Sequence, residues 1–347
     1  MKTNLPRGAI PLVTLSFLVA GAMGLPSGPA VAQEPKRDPY FMPTPAKTTA
    51  YMPRVIIRNI REDRAGNIWF ATFGGPIRYD GKEFTNFAEE AGLANTRVFS
   101  LVEDRSGAIW FGSITAGASR YDGKSFTKFT AKDGLGNEDV LFLFEDRDGN
   151  IWFATGNGVS RHDGKSMTNF TTKDGLVHDA VYSIAQDASG RMWFGTQGGI
   201  SSYDGKTFSN LADQVGRSFV NIRSIAVDRS GNVWFGGQEG AFRYDGKTLA
   251  AFTAKEGLLE DFVGSMIVDR AGNVWFGHPD TRGGGASRYD GKAFEHFTRE
   301  NGLCSTNVYA MLEDKAGRIW FGSVDAGACR YDGKTFTDFS ATAPPRK

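Results

Sequence analysis

Asp146-Arg147-Asp148-Gly149-Asn150-Ile151-Trp152-Phe153 decides the fold, together with Arg161-His162-Asp163-Gly164-Lys165, whose Asp lies eleven residues past the Trp. The pair of signals, D-x-x-G-x-[IVM]-W-F and then R-Y-D-G-K or a near variant, returns seven times. Its tryptophans are Trp69, Trp110, Trp152, Trp193, Trp234, Trp275 and Trp320, every tryptophan in the chain, at intervals of 41 or 42 residues except the last, which is 45. A fixed period near forty with strand-like content marks a blade repeat. The expected fold is therefore all-β, a seven-bladed β-propeller of four-stranded antiparallel blades.

Each repeat reads as four strands. In the second, 98–103 is a first strand, Asp104-Arg105-Ser106-Gly107 a tight turn and 109–113 a second strand. Residues 118–121 form a third strand, Asp122-Gly123 a hairpin turn and 125–130 a fourth strand, with 131–139 leading to the next repeat. Asp-Gly is a favoured pair for two-residue turns with positive backbone angles, so Asp80, Asp122, Asp163, Asp204, Asp245, Asp290 and Asp332 are assigned to hairpin geometry. Four short strands cannot bury both faces of their sheet alone, whereas seven stacked copies can, with the Trp as an apolar wedge between neighbours. No strand is left over to latch the seventh blade to the first, so closure is expected to rest on side-chain packing between them, helped by the leader.

Composition agrees. The 27 Phe, 10 Tyr and 44 Gly of 347 residues suit many short strands and tight turns. Residues 1–32 read as an export signal, with Lys2 and Arg7 before an apolar run and Ala30-Val31-Ala32 as a small-x-small cleavage site. Taking Lys2 and Arg7 from the 40 Lys and Arg leaves 38 against 39 Asp and Glu, a balance with no basic footprint for nucleic acid or anionic lipid. The expected organisation is a signal peptide at 1–32, a Pro-rich leader at 33–53, the propeller at 54–341 and a tail at 342–347. After cleavage no membrane span is expected, and the destination is periplasmic or extracellular. Cys304 and Cys329 both fall in the last repeat, where a full strand is expected between them. They read as two small semi-buried thiols rather than a bridge.

The succession EDRDGNIWFATGNGVSRHDGKSMTNFTTKDGL, 145–176, resembles the two-component regulator propeller repeat, found in extracellular sensor regions of bacterial hybrid histidine kinases and in stand-alone exported proteins. The resemblance covers about 55–339 and fades at 213–221, where Val215-Gly216-Arg217 replaces the usual G-L linker. It implies a sensor-type propeller, here expected as a stand-alone exported member. The G-N-[IV]-W-F element is also similar to the streptogramin lyase propellers, a Mg-dependent enzyme family, although no His/Glu catalytic set maps onto this chain.

Chemistry is expected at one face. Loops entering the innermost strands and loops joining second to third strands share the channel mouth, while the D-x-x-G and D-G turns lie opposite. Five residues before each turn Asp stand Arg58, Phe99, Leu141, Tyr182, Arg223, Gly264 and Tyr309. A core column would be uniformly apolar; this mixture of aromatics and arginine suits stacking and hydrogen bonding to a sugar or small anion. The alternative is a plug of the channel by these residues and water. A four-residue expansion, 277–285, adds His278, Asp280 and Arg282 as a second candidate cluster on the same face. Asp146-x-Asp148-Gly149-Asn150 lacks the later bidentate Glu of a calcium loop and is assigned to turn capping.

The preferred reading is a monomeric, non-catalytic exported module that binds a small molecule, possible ligands including a glycan fragment, or an envelope protein at its channel mouth. Two alternatives stand beside it: a metal-dependent lyase with His278 or His178 at the mouth and Mg or Ca as cofactor, and an envelope interaction scaffold.

Overall fold

The computed structural model describes residues 47–340 apart from 95, 280–282 and 326. The signal segment, the leader before residue 47 and the tail from 341 lie outside the described residues. Seven antiparallel sheets follow one another along the chain, at 57–86, 98–129, 140–170, 181–210, 224–252, 265–297 and 308–338, here called blades 1 to 7. Each is ordered first strand to fourth, and the first strands adjoin one another around a closed ring, with blade 7 against blade 1. The innermost strand is thus the V-x-S-[IL] strand. Among the described residues no helix is long and apolar enough to cross a membrane.

Every residue of the repeat signature has a mechanical task. The Trp Nε1 donates to the carboxylate of its own turn Asp in all seven blades, for example Trp152 to Asp146 at 2.7 Å and Trp320 to Asp314 at 2.9 Å. Its ring projects into the next blade, with Trp110 5.8 Å from Phe153, Trp152 5.6 Å from Phe194 and Trp320 6.0 Å from Phe70, which carries the wedge across the closing junction. The Arg of R-Y-D-G-K covers that Trp, as Arg161 does at 5.7 Å and Arg330 at 5.3 Å. The Tyr hydroxyl donates to the turn Gly carbonyl, as from Tyr79 to Gly81. Large rings pinned at both ends in this way bury apolar area and leave little rotamer freedom to the sheet interfaces.

The two hairpins differ. D-x-x-G closes a three-residue loop: Gly149 N–H donates to Asp146 O, Asp146 N–H to Asn150 O, and Gly149 takes φ +88°. That is a type I turn completed by a left-handed Gly. The D-G hairpins correct the expected central pair by one residue. Asp163 N–H donates to Ser166 O, so Gly164 and Lys165 occupy the centre, and only Gly164 has positive φ, +89°. This is the II′ pattern, with Gly first, and the Asp sits before it, its Oδ1 accepting the N–H groups of Lys165 and Ser166.

The help expected from the leader in closing the ring takes the form of backbone bonds. Thr48–Thr49 adds a fifth strand to the outer edge of blade 1. The chain then turns so that Met52, fully buried, donates its N–H to Phe339 O and bridges Ser340 in parallel. One short segment therefore holds the outer edges of blades 1 and 7.

The cysteines are a correction. Cys304 and Cys329 form a disulfide, with Cα atoms 6.2 Å apart. A strand is expected between them, but each linker crosses the top of the blade it leads into and meets that blade's third strand. In blades 3, 4 and 6 the contact is a hydrogen bond, from Gly136 N–H to Ser160, Val177 N–H to Ser201 and Leu259 N–H to Ser287. Cys304 and Cys329 occupy those two positions in blade 7. Reduction is expected to cost roughly 3 kcal/mol for a loop of this length. The double variant Cys304→Val with Cys329→Ser copies Val177 and Ser201 and should recover about 1 kcal/mol of it. Thermal midpoints with and without dithiothreitol check both values; a double variant no better than the reduced protein would show that the bond is not restored.

Candidate functional site

The channel mouth is made by a repeated irregularity. In blades 1, 2, 3, 4 and 7 the pairing of first and second strands skips one residue, between Ile57 and Asn59, Val98 and Ser100, Val140 and Phe142, Val181 and Ser183, and Val308 and Ala310. The skipped residues are Arg58, Phe99, Leu141, Tyr182 and Tyr309. A bulge re-aims one side chain out of the alternation of a strand, and here it sends five into the channel. Arg223 and Gly264 hold the same place in blades 5 and 6, where Arg223 N–H donates to Gly236 O and Gly264 N–H to Gly277 O. All seven line a cavity of about 240 Å³ at the mouth, joined by Phe262.

Phe262 was not legible as a mouth residue. At Gly264 a Cβ would stand 2.6 Å from Pro279 Cγ, so only glycine fits, and Phe262, two residues earlier, occupies the space. The signal was the pair of a Gly in the column and a Pro beginning the expanded loop.

Two arginine–aromatic groups face each other across this cavity. Arg58 lies 4.4 Å from the Tyr309 ring centre and 5.0 Å from that of Phe99, and Arg223 lies 4.0 Å from that of Tyr182. Burial lowers the pKa of Arg58; Tyr309 opposes that shift and the like charge of Arg223 adds to it. Arg58 Nε has no hydrogen-bond partner among the described residues. A larger void of about 510 Å³ shares these seven residues and is lined also by Arg61, whose pKa burial lowers, and by Gln186 and Glu313.

Of the second candidate cluster, His278 lies among the described residues. His278 ends the second strand of blade 6 and is fully buried. Its position is that of Thr72, Ser113, Thr155, Thr196 and Ser323, whose hydroxyls donate to the Gly carbonyl opening the third strand. With the loop expanded, His278 Nδ1 lies 3.0 Å from Phe262 O and Nε2 3.0 Å from Ser287 Oγ, which in turn lies 3.1 Å from His296 Nδ1. The carbonyl can only accept, so Nδ1 carries the proton and Nε2 accepts the Ser287 hydroxyl. Burial lowers the pKa of His278 to about 4. It is a neutral strut beneath the loop, closed to an outside ligand. Asp280 and Arg282 lie outside the described residues. His178, in the linker before blade 4, accepts Ala180 N–H through Nδ1.

The family model described as "Two component regulator propeller" matches residues 52–74, 92–115, 134–157, 175–198, 216–239 and 302–325. These segments run from a linker through the first two strands of six blades; blade 6, with its expanded loop, is the exception. No curated protein matches the chain. Among solved structures, the extracellular domain of a putative hybrid two component system from B. thetaiotaomicron is 24% identical with a TM-score of 0.70 over 83% of this chain, which spans 41% of that one. A streptogramin B lyase is 14% identical with a TM-score of 0.62, covering 82% of this chain and 96% of the other. YCF48 bound to D1 peptide is 12% identical with a TM-score of 0.60, covering 82% and 97%. At such identities the likeness is one of fold. Six of the seven blades of this chain thus carry the two-component regulator propeller repeat.

Proposed function

We propose that this propeller is a recognition module that takes a small molecule at its channel mouth, without chemistry of its own, in the periplasm or outside the cell. The observation that carries the reading is the mouth itself: strand bulges aim polar and aromatic side chains, different in nearly every blade, into one cavity, while the rest of the repeat is kept nearly constant. Uniform packing would ask for uniform residues. Sites that recognise small molecules combine apolar walls with a few placed polar groups, as Phe99, Leu141 and Phe262 do with Arg58, Tyr182, Arg223 and Tyr309. The export-type N-terminal sequence supports the compartment.

A thermal-shift screen of the full chain against neutral and charged sugars, small anions and divalent metals, each with an EDTA control, tests this. A ligand that binds only the folded state raises the midpoint. The expected result is a hit that is lost in Tyr182→Ala and in Tyr309→Ala, variants that should cost about 1 kcal/mol of stability by removing one cation–π contact each. A hit indifferent to both substitutions would place recognition elsewhere, and a shift by metal alone, abolished by EDTA, would favour the lyase reading.

A further inference from the structure

The mouth carries charge that no carboxylate among its lining residues answers, the Tyr309 hydroxyl being the one polar partner of Arg58. Arg58 comes from blade 1 and Arg223 from blade 5, and each has an aromatic face for company in place of a carboxylate. Among the described residues no Asp or Glu lines the mouth cavity. The one carboxylate lining the larger void is Glu313, and it is already engaged, accepting Arg270 N–H at 2.7 Å and lying 3.4 Å from Arg270 Nε. Arg61 adds a third cation in the same channel.

A plug would not be built this way. Guanidinium groups removed from bulk water are ordinarily paired and hydrogen-bonded, because an unpaired one costs desolvation without return. Residues of similar volume and no charge would fill the channel at less cost. The unmatched donor at Arg58 Nε points the same way, as does the placing of a second cation, Arg223, in the lining of the same cavity. Charge of one sign set in a low-dielectric recess focuses field on an incoming ion of the other sign.

Resting on the reading of the mouth as a ligand site, we propose that its ligand is a small organic oxyanion, held by its carboxylate or phosphate group between Arg58 and Arg223. The space admits a small molecule: about 240 Å³ at the mouth adjoins about 510 Å³ lined by the same two arginines. Arginine is the side chain suited to both acceptor groups, since its fork of N–H donors matches either.

The test is titration of the full chain at low ionic strength with acetate, succinate, benzoate and inorganic phosphate, against matched sodium chloride, by calorimetry and thermal shift. The carboxylates and phosphate form separate arms and so identify the acceptor group. At least one should bind and raise the midpoint, and Arg58→Gln and Arg223→Gln should each weaken it about tenfold or more, as expected for losing a charge-assisted hydrogen bond. Without ligand, Arg58→Gln should keep a midpoint close to that of the parent, because the ring contacts it gives up are offset by the burial cost of the cation it removes. An oxyanion bound equally by parent and variants overturns the proposal. So does a neutral ligand that binds, is lost in Tyr182→Ala and persists in both arginine variants; that result spares the mouth as a site. Silence across this panel and the sugars, with a midpoint that falls in Arg58→Gln, makes the arginines a plug and takes the site reading with it.

Discussion

Asp146→Ala is expected to lower the unfolding free energy by about 3 kcal/mol, a large share of what a single domain possesses. The carboxylate is buried and every group around it is a donor. Oδ1 accepts the N–H groups of Asp148 and Asn150 at 3.0 and 2.9 Å, and Oδ2 accepts Asn150 Nδ2 and Trp152 Nε1 at 2.8 and 2.7 Å. Alanine leaves these donors without an acceptor, and the indole N–H lies within the blade interface with no water to replace it. Leaving a buried donor unmade costs about 1–3 kcal/mol, so more than one such loss is counted in the expected value. Asp146→Asn should recover only part, since an amide turns two donors of its own toward donors. This acceptor-only requirement is the physical reason for Asp in all seven turns. Urea unfolding midpoints of the two variants check the claim. A loss below about 1 kcal/mol for alanine would mean that the blade relaxes enough to admit water to the indole.

Stability is expected to fall in two stages as the solution is acidified, beginning well above the range of the carboxylates. His278 has its folded pKa lowered by burial to about 4, against an ordinary histidine value of 6.5. Above about 6.5 the group is neutral folded or unfolded and the full stability is present; below it the unfolded chain takes up a proton that the folded chain refuses. The loss should approach roughly 3 kcal/mol by about pH 4. The second stage belongs to aspartates. Asp80, Asp122, Asp163, Asp204, Asp290 and Asp332 are held below their ordinary value chiefly by the backbone N–H three residues on, and Asp245, bonded first by the Thr248 hydroxyl, falls to about 2. Burial acts to raise Asp104, Asp187 and Asp314, but the turn and Trp hydrogen bonds outweigh it and their pKa values too are lowered. Groups of depressed pKa stabilise above the unfolded value near 4, and that contribution disappears between about 4 and 2. Unfolding midpoints in urea across pH 2–8 should show both stages in the parent and a much smaller first stage in His278→Gln, what remains belonging to His162, whose pKa burial also lowers. An unchanged first stage in that variant would assign the loss to another group.

The fold was legible because its signature residues repeat and each repeat solves the same local problem. Asp146, Gly149 and Trp152 identify a turn, a left-handed position and a wedge without knowledge of any neighbour. The mouth column could be aligned because bulged positions keep a constant offset from the turn Asp. What escaped depends on contacts between segments distant in sequence. The disulfide required knowing that a linker lies on the third strand of its own blade, although the serines at 160, 201 and 287 had already marked that position. His278 was taken for a loop residue because the inserted residues hid its alignment with Thr155 and Thr196. Phe262 entered the mouth only through the space left by Gly264.

The junction of Met52 with Phe339 and Ser340 sets an order of events. A blade can form its hairpins as soon as its own forty residues are available, but this contact joins positions separated by almost the whole propeller. It is the most non-local backbone pairing among the described residues and carries the greatest loop-closure entropy of them, so it must come after the blades between have taken their places. Until blade 7 has been made, the apolar surface around Phe70 waits for Trp320 without a neighbour. A chain read from its N-terminus thus presents an unfinished sheet stack for most of its synthesis. That interval, rather than the finished ring, is where this protein is most exposed to pairing with a second copy of itself.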